Sequence, residues 1–371
     1  MKILIAGDYY PRRRVQELLD KNDFSFLDEV MPFTAKADYS IVNFEGCIAD
    51  ESDQPIEKDG PNQCCDTKSV EALKKAGFDC FTLANNHFRD FGNGGVSKTI
   101  KACVEYHLDY VGGGNNIQEA EQVLYKDLAD KILAIINVCE TEFSIADNNQ
   151  GGSAPLNPVK NYYAIQEAKQ KADYVLVIVH GGPEVYSYPT PRMKATYRFF
   201  VDAGADAVVN HHQHCICGYE TYHGKPIFYG LGNFCFDWVT GSVRWWEEGF
   251  IAIIDFDYEA INFEIAPYMQ FSDEPKVSFQ SAQKDFYKRI DELNRIIADD
   301  RLLEEVFNDW SVKNKDVSIF EPYRSRITKW LYARKLLPSF LDARKRRMLL
   351  NLMRCESHHE AFLTSLNQLN K

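Results

Sequence analysis

The sequence predicts an α/β protein built from two stacked sheets with helices on their outer faces. Short apolar runs alternate with helix-like segments up to about residue 266. Eight of these runs have the length and composition of buried strands, which is too many for one small open sheet. After Pro267 the strand pattern fades, and apolar residues recur at spacings of three and four, as on helices. We therefore predict a main domain at residues 1–270 and a helical appendage at residues 271–371.

The predicted elements follow one another in chain order. The strands are expected at 3–6, 41–42, 80–84, 132–138, 175–179, 207–209, 226–229 and 250–256. Helices are expected between them at 69–75, 95–106, 163–171 and 195–202, and in the appendage at 285–297, 302–307, 325–336 and 341–353. Continuous apolar runs favour buried strands, whereas a helical period favours helices with one face in the core.

Five of the strand candidates stop at residues that can hold a metal or move a proton. These residues are Asp8, Asn43 and Glu45, Asn85 to His87, His180, and His211 to His214. In open α/β sheets, ligands bind in the crevice outside the carboxyl ends of the strands. A single convergent metal site is the prediction.

The sharpest local signal is the pair His212 and His214, directly after a strand candidate. In an extended segment residues i and i+2 face the same way, so both imidazoles would point at one ion. Asn86 beside His87 offers an amide oxygen as a ligand and an imidazole as a general acid. Taken singly, Asp8 and Glu45 fit helix caps or turns better than they fit a metal site, and only their shared position at strand ends favours the site.

Composition narrows the class of protein. The net charge is −12, and residues 276–371 carry 19 basic against 13 acidic side chains, so the rest of the chain is strongly acidic. That balance argues against a nucleic-acid partner. The ten cysteines lack paired zinc spacings, and no apolar stretch approaches the roughly 20 residues that a membrane span needs. The opening residues fit a first strand rather than a signal peptide, and a cytoplasmic location is expected.

These motifs together resemble one known family. Gly7-Asp8, Asn43-Phe44-Glu45-Gly46, Leu83 to His87 with Asp90 and Gly92, His180 with Glu184, Gly204 to His214, and Tyr229 to Phe234 look like the motif series of the CapA family of bacterial capsule and poly-γ-glutamate synthesis proteins. The resemblance covers about residues 1–256. It implies the four-layer α/β sandwich of the related calcineurin-like metallophosphoesterases.

The resemblance also implies roles for individual residues. The implied metal ligands are Asp8, Glu45, Asn86, His180, His212 and His214, with Glu45 as the bridging carboxylate. His87 would protonate a leaving group, and Asp90 would orient it. We assign Asn43, Asn85, Glu184 and His211 to substrate binding.

A mixed set of histidine, carboxylate and amide ligands suits one or two ions of manganese, iron or zinc, and hydrolysis is the natural reaction class. The substrate would be a phosphoester or an amide bond of an anionic polymer, with Arg89, Arg192 and Lys225 as candidate contacts. A non-catalytic assembly factor is the main alternative, because Tyr10 stands where the phosphoesterase pattern has histidine. A general phosphoesterase acting on small metabolites is the third.

A basic segment near the C-terminus has two interpretations. Residues 322–354 hold ten basic residues and the single acid Asp342, interleaved with apolar side chains. Such a helix can lie on an anionic leaflet, which would place the protein peripherally at the inner membrane. Packing of its apolar face on the acidic main domain explains the pattern as well and is our preferred interpretation, so we expect weak, salt-sensitive vesicle binding at most.

Overall fold

The computed structural model describes residues 1–128, 130–237, 244–272, 274–279, 283–314, 325–334, 336 and 343–369. The chain forms two compact units, Met1–Phe307 and Asn308–Lys371. The boundary that we placed at residue 270 stays a prediction.

The strands all lie in the first unit. In chain order they are β1 (Lys2–Tyr9), β2 (Tyr39–Phe44), β3 (Cys47–Ile48), β4 (Cys64–Cys65), β5 (Cys80–Thr82), β6 (Asp109–Val111), β7 (Gly113–Gly114), β8 (Leu124–Leu128), β9 (Lys131–Cys139), β10 (Gly152–Ser153), β11 (Tyr174–His180), β12 (Ala207–His211), β13 (Tyr219–Tyr222), β14 (Lys225–Phe228), β15 (Asn233–Cys235), β16 (Glu248–Phe256), β17 (Ile261–Gln270) and β18 (Val277–Ser278). Every predicted strand is present. The sequence pattern missed β17 because only one of its faces is apolar, so its burial alternates along the strand.

Two large sheets carry the fold. The first has the order β18-β17-β16-β1-β2-β5-β6, with β15 also paired to β1, and the second has the order β13-β14-β12-β11-β9-β8. The central pairs β1–β2, β2–β5, β9–β11 and β11–β12 are parallel. Their carboxyl ends therefore open at one edge of each sheet, where chemistry-bearing residues are expected.

The helices of the first unit are α1 (Arg14–Asp20), α2 (Met31–Thr34), α3 (Thr67–Lys75), α4 (Gly92–Glu105), α5 (Ile117–Ala120), α6 (Pro158–Lys171), α7 (Pro191–Asp202), α8 (Arg244–Glu247), α9 (Gln283–Ile297) and most of α10 (Asp300–Lys313). Polar caps fix several starts: Asp66 accepts from the backbone of α3, and Asn157 and Thr190 do so for α6 and α7, each directly before a proline.

Three apolar clusters fill the spaces between four layers of secondary structure. One cluster joins facing strands of the two sheets, including Ile5 from β1 and Ile178 from β11. A second fills the space between the first sheet and helices α1, α3 and α4, and the third lies between the second sheet and helices α6 and α7. The order helix, sheet, sheet, helix confirms the predicted four-layer α/β sandwich. Helix α9, which we placed in the appendage, contributes Phe286 and Ile290 to the cluster between the sheets.

The second unit is helical where it is described. It holds the end of α10, then α11 (Arg326–Ala333), α12 (Ala343–Arg354) and α13 (Glu356–Leu369). Of the basic segment 322–354, residues 322–324, 335 and 337–342 lie outside the described residues. No described helix is long and apolar enough to cross a bilayer. The peripheral membrane contact stays a prediction.

Candidate metal centre

The strand ends of both sheets bring the predicted site residues to one place. In the first sheet, β1 and β2 pair so that Asp8 is opposite Asn43, and Glu45 follows directly after β2. In the second sheet, β11 and β12 pair so that their last residues, His180 and His211, are opposite each other. Since the two sheets stack face to face, their carboxyl ends form one buried crevice.

Gly7 shows why the chain needs a glycine just before Asp8. The β1–β2 register shifts between residues 6 and 8, and β1 also approaches β15 closely there. A Cβ added at Gly7 would lie only 2.0 Å from the carbonyl oxygen of Gly232. Glycine therefore lets Asp8 turn into the crevice while the strand stays paired.

The predicted ligands lie within contact distance of one another. His214 connects the two carboxylates, with Nδ1 3.4 Å from Asp8 Oδ2 and Nε2 3.5 Å from Glu45 Oε1. His180 Nε2 lies 4.0 Å from the same Glu45 oxygen and 3.1 Å from Asn86 Oδ1. These separations suit side chains that share a cation, and all five are buried.

Two groups of ligand atoms can each surround one ion. Asp8, Glu45 and His214 form the first, and Glu45, His180 and His212 form the second, each with its ligand atoms within 4.8 Å of one another. Glu45 belongs to both groups, which is the arrangement that a bridging carboxylate requires. Glu184, His212 and His214 form a third group on the more exposed side.

The carboxylates are electrostatically unusual. Neither oxygen of Glu45 has a hydrogen-bond partner among the described residues, although the side chain is fully buried. Burial raises the pKa of Glu45 well above its ordinary value, and the charge of Asp8 raises it further, against the opposing charge of His214. Burial also raises the pKa of Asp8, but the His214 hydrogen bond and the neighbouring histidines outweigh that and hold it well below its usual range.

The histidines divide into two kinds. Burial lowers the pKa of His212 to about 3 and that of His180 well below the ordinary value, so both are neutral and their ring nitrogens can bind a metal. Burial acts in the same direction on His214, but Glu45 and Asp8 raise its pKa to about 10. A proton on His214 supplies the positive charge that a bound cation would bring.

The backbone conformation at His212 and His214 differs from the extended one that we predicted. Strand β12 ends at His211, and His212 and His214 both have positive φ, 92° and 54°. The extended-strand argument was therefore wrong, although both rings do reach the site. Non-glycine residues adopt this backbone region only when their surroundings hold them there.

Gln213 supplies that restraint. Its Nε2 donates to the carbonyl oxygens of Tyr186 and Tyr188, the latter at 2.9 Å, and its Oε1 accepts from Asn210 at 3.3 Å. The side chain thus ties the strained turn to the loop that carries Glu184.

We expect Gln213→Ala to destabilise the fold by about 1–3 kcal/mol, because one buried and one partly buried carbonyl group lose the hydrogen bond from Nε2. Urea denaturation, monitored by circular dichroism, measures the loss in the free energy of unfolding. The control is Gln118→Ala, at an exposed position. Equal midpoints for the two variants would contradict the restraint.

His87 is held from one side by Asp90 and Lys58. Its Nδ1 lies 2.6 Å from Asp90 Oδ2 and 3.0 Å from Lys58 Nζ, and the lysine also pairs with the other oxygen of Asp90. The Lys58 side chain is only 3% exposed. Burial lowers the pKa of His87, and Lys58 adds to this, whereas Asp90 opposes it. Asp90 thus contacts the ring that the family resemblance implies it would orient, and the role itself stays a prediction.

Three of the four residues assigned to substrate binding are buried beneath the site. Asn43 Nδ2 donates to Asp8 Oδ1 at 2.8 Å, and Asn85 Nδ2 donates to the Phe44 carbonyl oxygen at 2.8 Å. His211 Nδ1 lies 3.6 Å from Asp8. Side chains without exposed surface support the ligands rather than touch a substrate, so we correct these assignments. Glu184 is exposed and remains a candidate contact.

Of the three basic residues proposed as substrate contacts, two lie near the site and one does not. Lys225 begins β14 and pairs with Asp206, which precedes β12, so it lies at the opposite edge of the sheet and is not a site residue. Arg192 pairs with Glu140 at the edge of the sheet that carries the site. The backbone of Arg89 donates to Ser144, beside Asn86. These two remain candidates.

One of the tryptophans near the end of the main domain lies against the site. The Trp246 ring lies 5.2 Å from that of His214 and forms one wall of the site, while Trp245 is exposed. Trp238 lies outside the described residues. Tyr10, in place of the phosphoesterase histidine, packs its ring edge-on against Phe236.

Sequence reasoning missed two site residues. Glu142 contacts Asn86 and His212, and it follows β9 just as the other site residues follow their strands, so the strand-end rule could have found it. Lys58 lies in an irregular loop between β3 and β4, where no sequence pattern marked it. Asn233, which lies in the last of the family motifs, also contacts the site: its Oδ1 lies 2.9 Å from His214 Nδ1.

Comparisons with known proteins extend these observations. The profile of the family described as bacterial capsule synthesis protein PGA_cap matches residues 2–238. A capsule biosynthesis protein CapA from Bacillus anthracis is 35% identical over 247 residues, which cover 64% of this chain and 60% of that protein. A PGA biosynthesis protein CapA from Bacillus subtilis (strain 168) is 32% identical over 236 residues, 62% of each chain. The chain thus spans about three fifths of the length of these curated relatives.

A solved phosphatase structure from Mycoplasma pneumoniae aligns with 78% of this chain and 98% of its own, at 14% identity and a TM-score of 0.46. The family profile covers well over half of the 371 residues, including all six candidate metal ligands. The chain belongs to the bacterial capsule synthesis protein PGA_cap family.

Proposed function

We propose that this chain is a metal-dependent hydrolase that acts on a phosphoester or amide bond in the synthesis or processing of a capsule polymer such as poly-γ-glutamate. The observation that carries the proposal is the pair of ligand groups that share the buried carboxylate of Glu45, whose oxygens accept no hydrogen bond from the described residues. A buried carboxylate that accepts no hydrogen bond is costly unless a cation compensates it.

The residues present fit divalent cations. Asp8, Glu45 and His214 would hold one ion, and Glu45, Asn86, His180 and His212 the other. Oxygen and imidazole ligands without a thiolate favour manganese, iron or zinc. When bound, such ions polarise the scissile bond and bring the pKa of water toward neutrality.

The chain's own proton chemistry centres on His87. With Nδ1 facing Asp90, the ring is fixed in one orientation and its other nitrogen can give a proton to a leaving group. Lys58 neutralises Asp90, so the carboxylate positions the ring without a net negative charge beside the reaction. Trp246 covers His214 and limits access of water on that side.

The family and the names of its relatives support a capsule polymer as the substrate. Poly-γ-glutamate is a polyanion, and the site is rimmed by Glu142 and Glu184 as well as by Arg89 and Arg192. Bound cations would compensate the acidic rim. A cytoplasmic location belongs to the same proposal.

A hydrolysis assay tests the proposal. The full chain, purified without chelator, is supplied with manganese, iron or zinc and offered a generic aryl phosphate and a γ-linked glutamyl polymer. We expect turnover of at least one substrate, abolished by chelator and restored by metal. Turnover of the aryl phosphate alone would favour the small-metabolite phosphoesterase. No turnover with any of the metals would contradict the proposal.

One observation favours a second candidate, a non-catalytic assembly factor. Tyr10 packs on Phe236 and offers no ligand where the phosphoesterase pattern has histidine. The first ion would then have three protein ligands, which suits weaker binding or a polymer-holding role. Metal binding without any turnover is the result that this candidate predicts.

Metal binding should strengthen as the pH rises. In the metal-free chain Glu45 and Asp8 raise the pKa of His214 to about 10, so His214 holds a proton at neutral pH. A metal must displace this proton, so affinity should rise by about tenfold per pH unit.

Calorimetric titration at pH 6, 7 and 8, in buffers of different ionisation enthalpy, measures both the affinity and the protons released. A dissociation constant that is independent of pH, with no proton release, would contradict the assignment of His214 as a ligand.

A further inference from the structure

A carboxylate that belongs to neither ligand group touches two of the ligands. Glu142 lies three residues beyond the end of β9, which pairs with β11 so that Cys139 is opposite His180. The backbone N–H of Glu140 donates to the His180 carbonyl oxygen at 3.0 Å, which directs this segment over the metal centre. Glu142 is therefore placed by the same strand ends that place the ligands.

Its two oxygens contact residues from different sheets. Oε2 accepts from Asn86 Nδ2 at 3.4 Å, and Oε1 lies 3.6 Å from His212 Nε2. Asn86 follows β5 of the first sheet, whereas His212 follows β12 of the second. One side chain thus connects the ligands that the two sheets contribute.

The chemistry of a carboxylate decides how those ligands face. An ionised carboxylate only accepts hydrogen bonds, so it selects the NH₂ side of the Asn86 amide and turns Oδ1 toward His180, 3.1 Å away. Its negative charge, 3.6 Å from Nε2 of His212, favours a proton on that nitrogen. The Nδ1 of His212, buried and without a partner in the described part of the chain, is then the nitrogen with a free lone pair.

We propose that Glu142 is a positioning residue of the metal centre, which turns Asn86 Oδ1 and His212 Nδ1 toward the ion that they share with Glu45 and His180. The inference rests on the proposed function, because it requires that this centre binds a metal. Outer carboxylates that fix ligand orientation typically change metal affinity by 10- to 100-fold when removed.

Two other roles for Glu142 are less consistent with the contacts. It belongs to none of the groups of ligand atoms found among the described residues, which favours a role beside the ligands over a role as one of them. Its side chain is 39% exposed, which would allow a substrate contact, but both oxygens are directed at ligands. A general charge effect is separable by experiment, because Glu140 is a second carboxylate on the same segment.

The test compares Glu142→Gln and Glu142→Ala with Glu140→Gln. Glutamine keeps the shape but can accept on only one side, so one ligand loses its partner, whereas alanine frees both. Glu140 contacts Arg192 and the Gly182 backbone, and its removal takes away the same charge without touching a ligand side chain.

Calorimetric titration with manganese measures the affinity of each ion, and electron paramagnetic resonance distinguishes a coupled manganese pair from an isolated ion. We expect one of the two affinities to fall by about 10-fold in Glu142→Gln and about 100-fold in Glu142→Ala. The variants should then show an isolated ion at a metal concentration that gives the unmutated chain a coupled pair. Glu140→Gln should keep the pair.

Unchanged affinities in both Glu142 variants, or an equal loss in Glu140→Gln, would overturn the inference while leaving the proposed function intact. No manganese binding by the unmutated chain would overturn both. Circular dichroism of each variant before titration checks folding, and the isosteric glutamine variant carries the test if the alanine variant is unfolded.

Discussion

Replacing His87 with alanine should reduce turnover by about 100- to 10,000-fold and leave the metal content unchanged. The ring is oriented by Asp90 at 2.6 Å and lies beside the ligand Asn86, but it is not itself in either ligand group. Its removal therefore takes away the proton donor and no ligand. Initial rates on both substrates, with metal content measured by mass spectrometry of the same sample, separate the two effects.

The matched control is His223→Ala, because His223 is an exposed histidine in the turn between β13 and β14. Its rate should equal that of the unmutated chain. Full activity of His87→Ala on both substrates would remove His87 from the mechanism. A parallel loss of metal would instead make it a structural residue of the centre.

Replacing Glu45 with glutamine should have the largest effect on metal binding. Glu45 belongs to both ligand groups, so one substitution weakens both ions, whereas Asp8→Asn should mainly weaken one. We expect two ions per chain in the unmutated protein and at most one in Glu45→Gln at stoichiometric metal. Turnover should be lost with the metal pair.

Thermal unfolding gives a second readout that does not depend on activity. Metal at about 100 times its dissociation constant should stabilise the unmutated chain by about 2.7 kcal/mol per site. Glu45→Gln should lose most of that gain, while Glu264→Gln, at an exposed position of β17, should keep it. Two ions retained by Glu45→Gln would contradict the bridging role.

The sequence was most informative about the parallel strands that are buried on both faces. Their apolar runs at β1, β11 and β12 are continuous, because both faces lie in a core, and they end where the backbone leaves the sheet. Polar residues follow these strand ends, and the family motifs include the same positions. For this reason Asp8, Glu45, Asn86, His180, His212 and His214 could be predicted as one site before any coordinates.

Elements with one exposed face were harder to predict. Strand β17 alternates in burial, so its apolar content is diluted and the sequence pattern did not mark it as a strand. Helix α9 has a helical period that predicts its existence but not its partner. Only the tertiary structure shows that Phe286 and Ile290 fill space between the two sheets.

The orientation of individual side chains was decided by tertiary contacts. The pair His212 and His214 was predicted on an extended strand, but the chain turns with positive φ, and Gln213 holds the turn through carbonyl groups about 25 residues earlier in the chain. Asn43 is polar and at a strand end, which is also true of a substrate contact. Burial distinguishes these roles, and burial depends on the stacking of the second sheet.

By itself, the sequence determined the α/β class, the four layers through its family motifs, and the identity of the residues that converge, because strand period and chain-local motifs encode all three. Tertiary structure alone decided which residues share Glu45, which side chains lie beneath the site, and that Lys58 belongs to it. Those properties depend on contacts between residues far apart in sequence, such as Lys58 with His87, for which a single sequence carries no local signal.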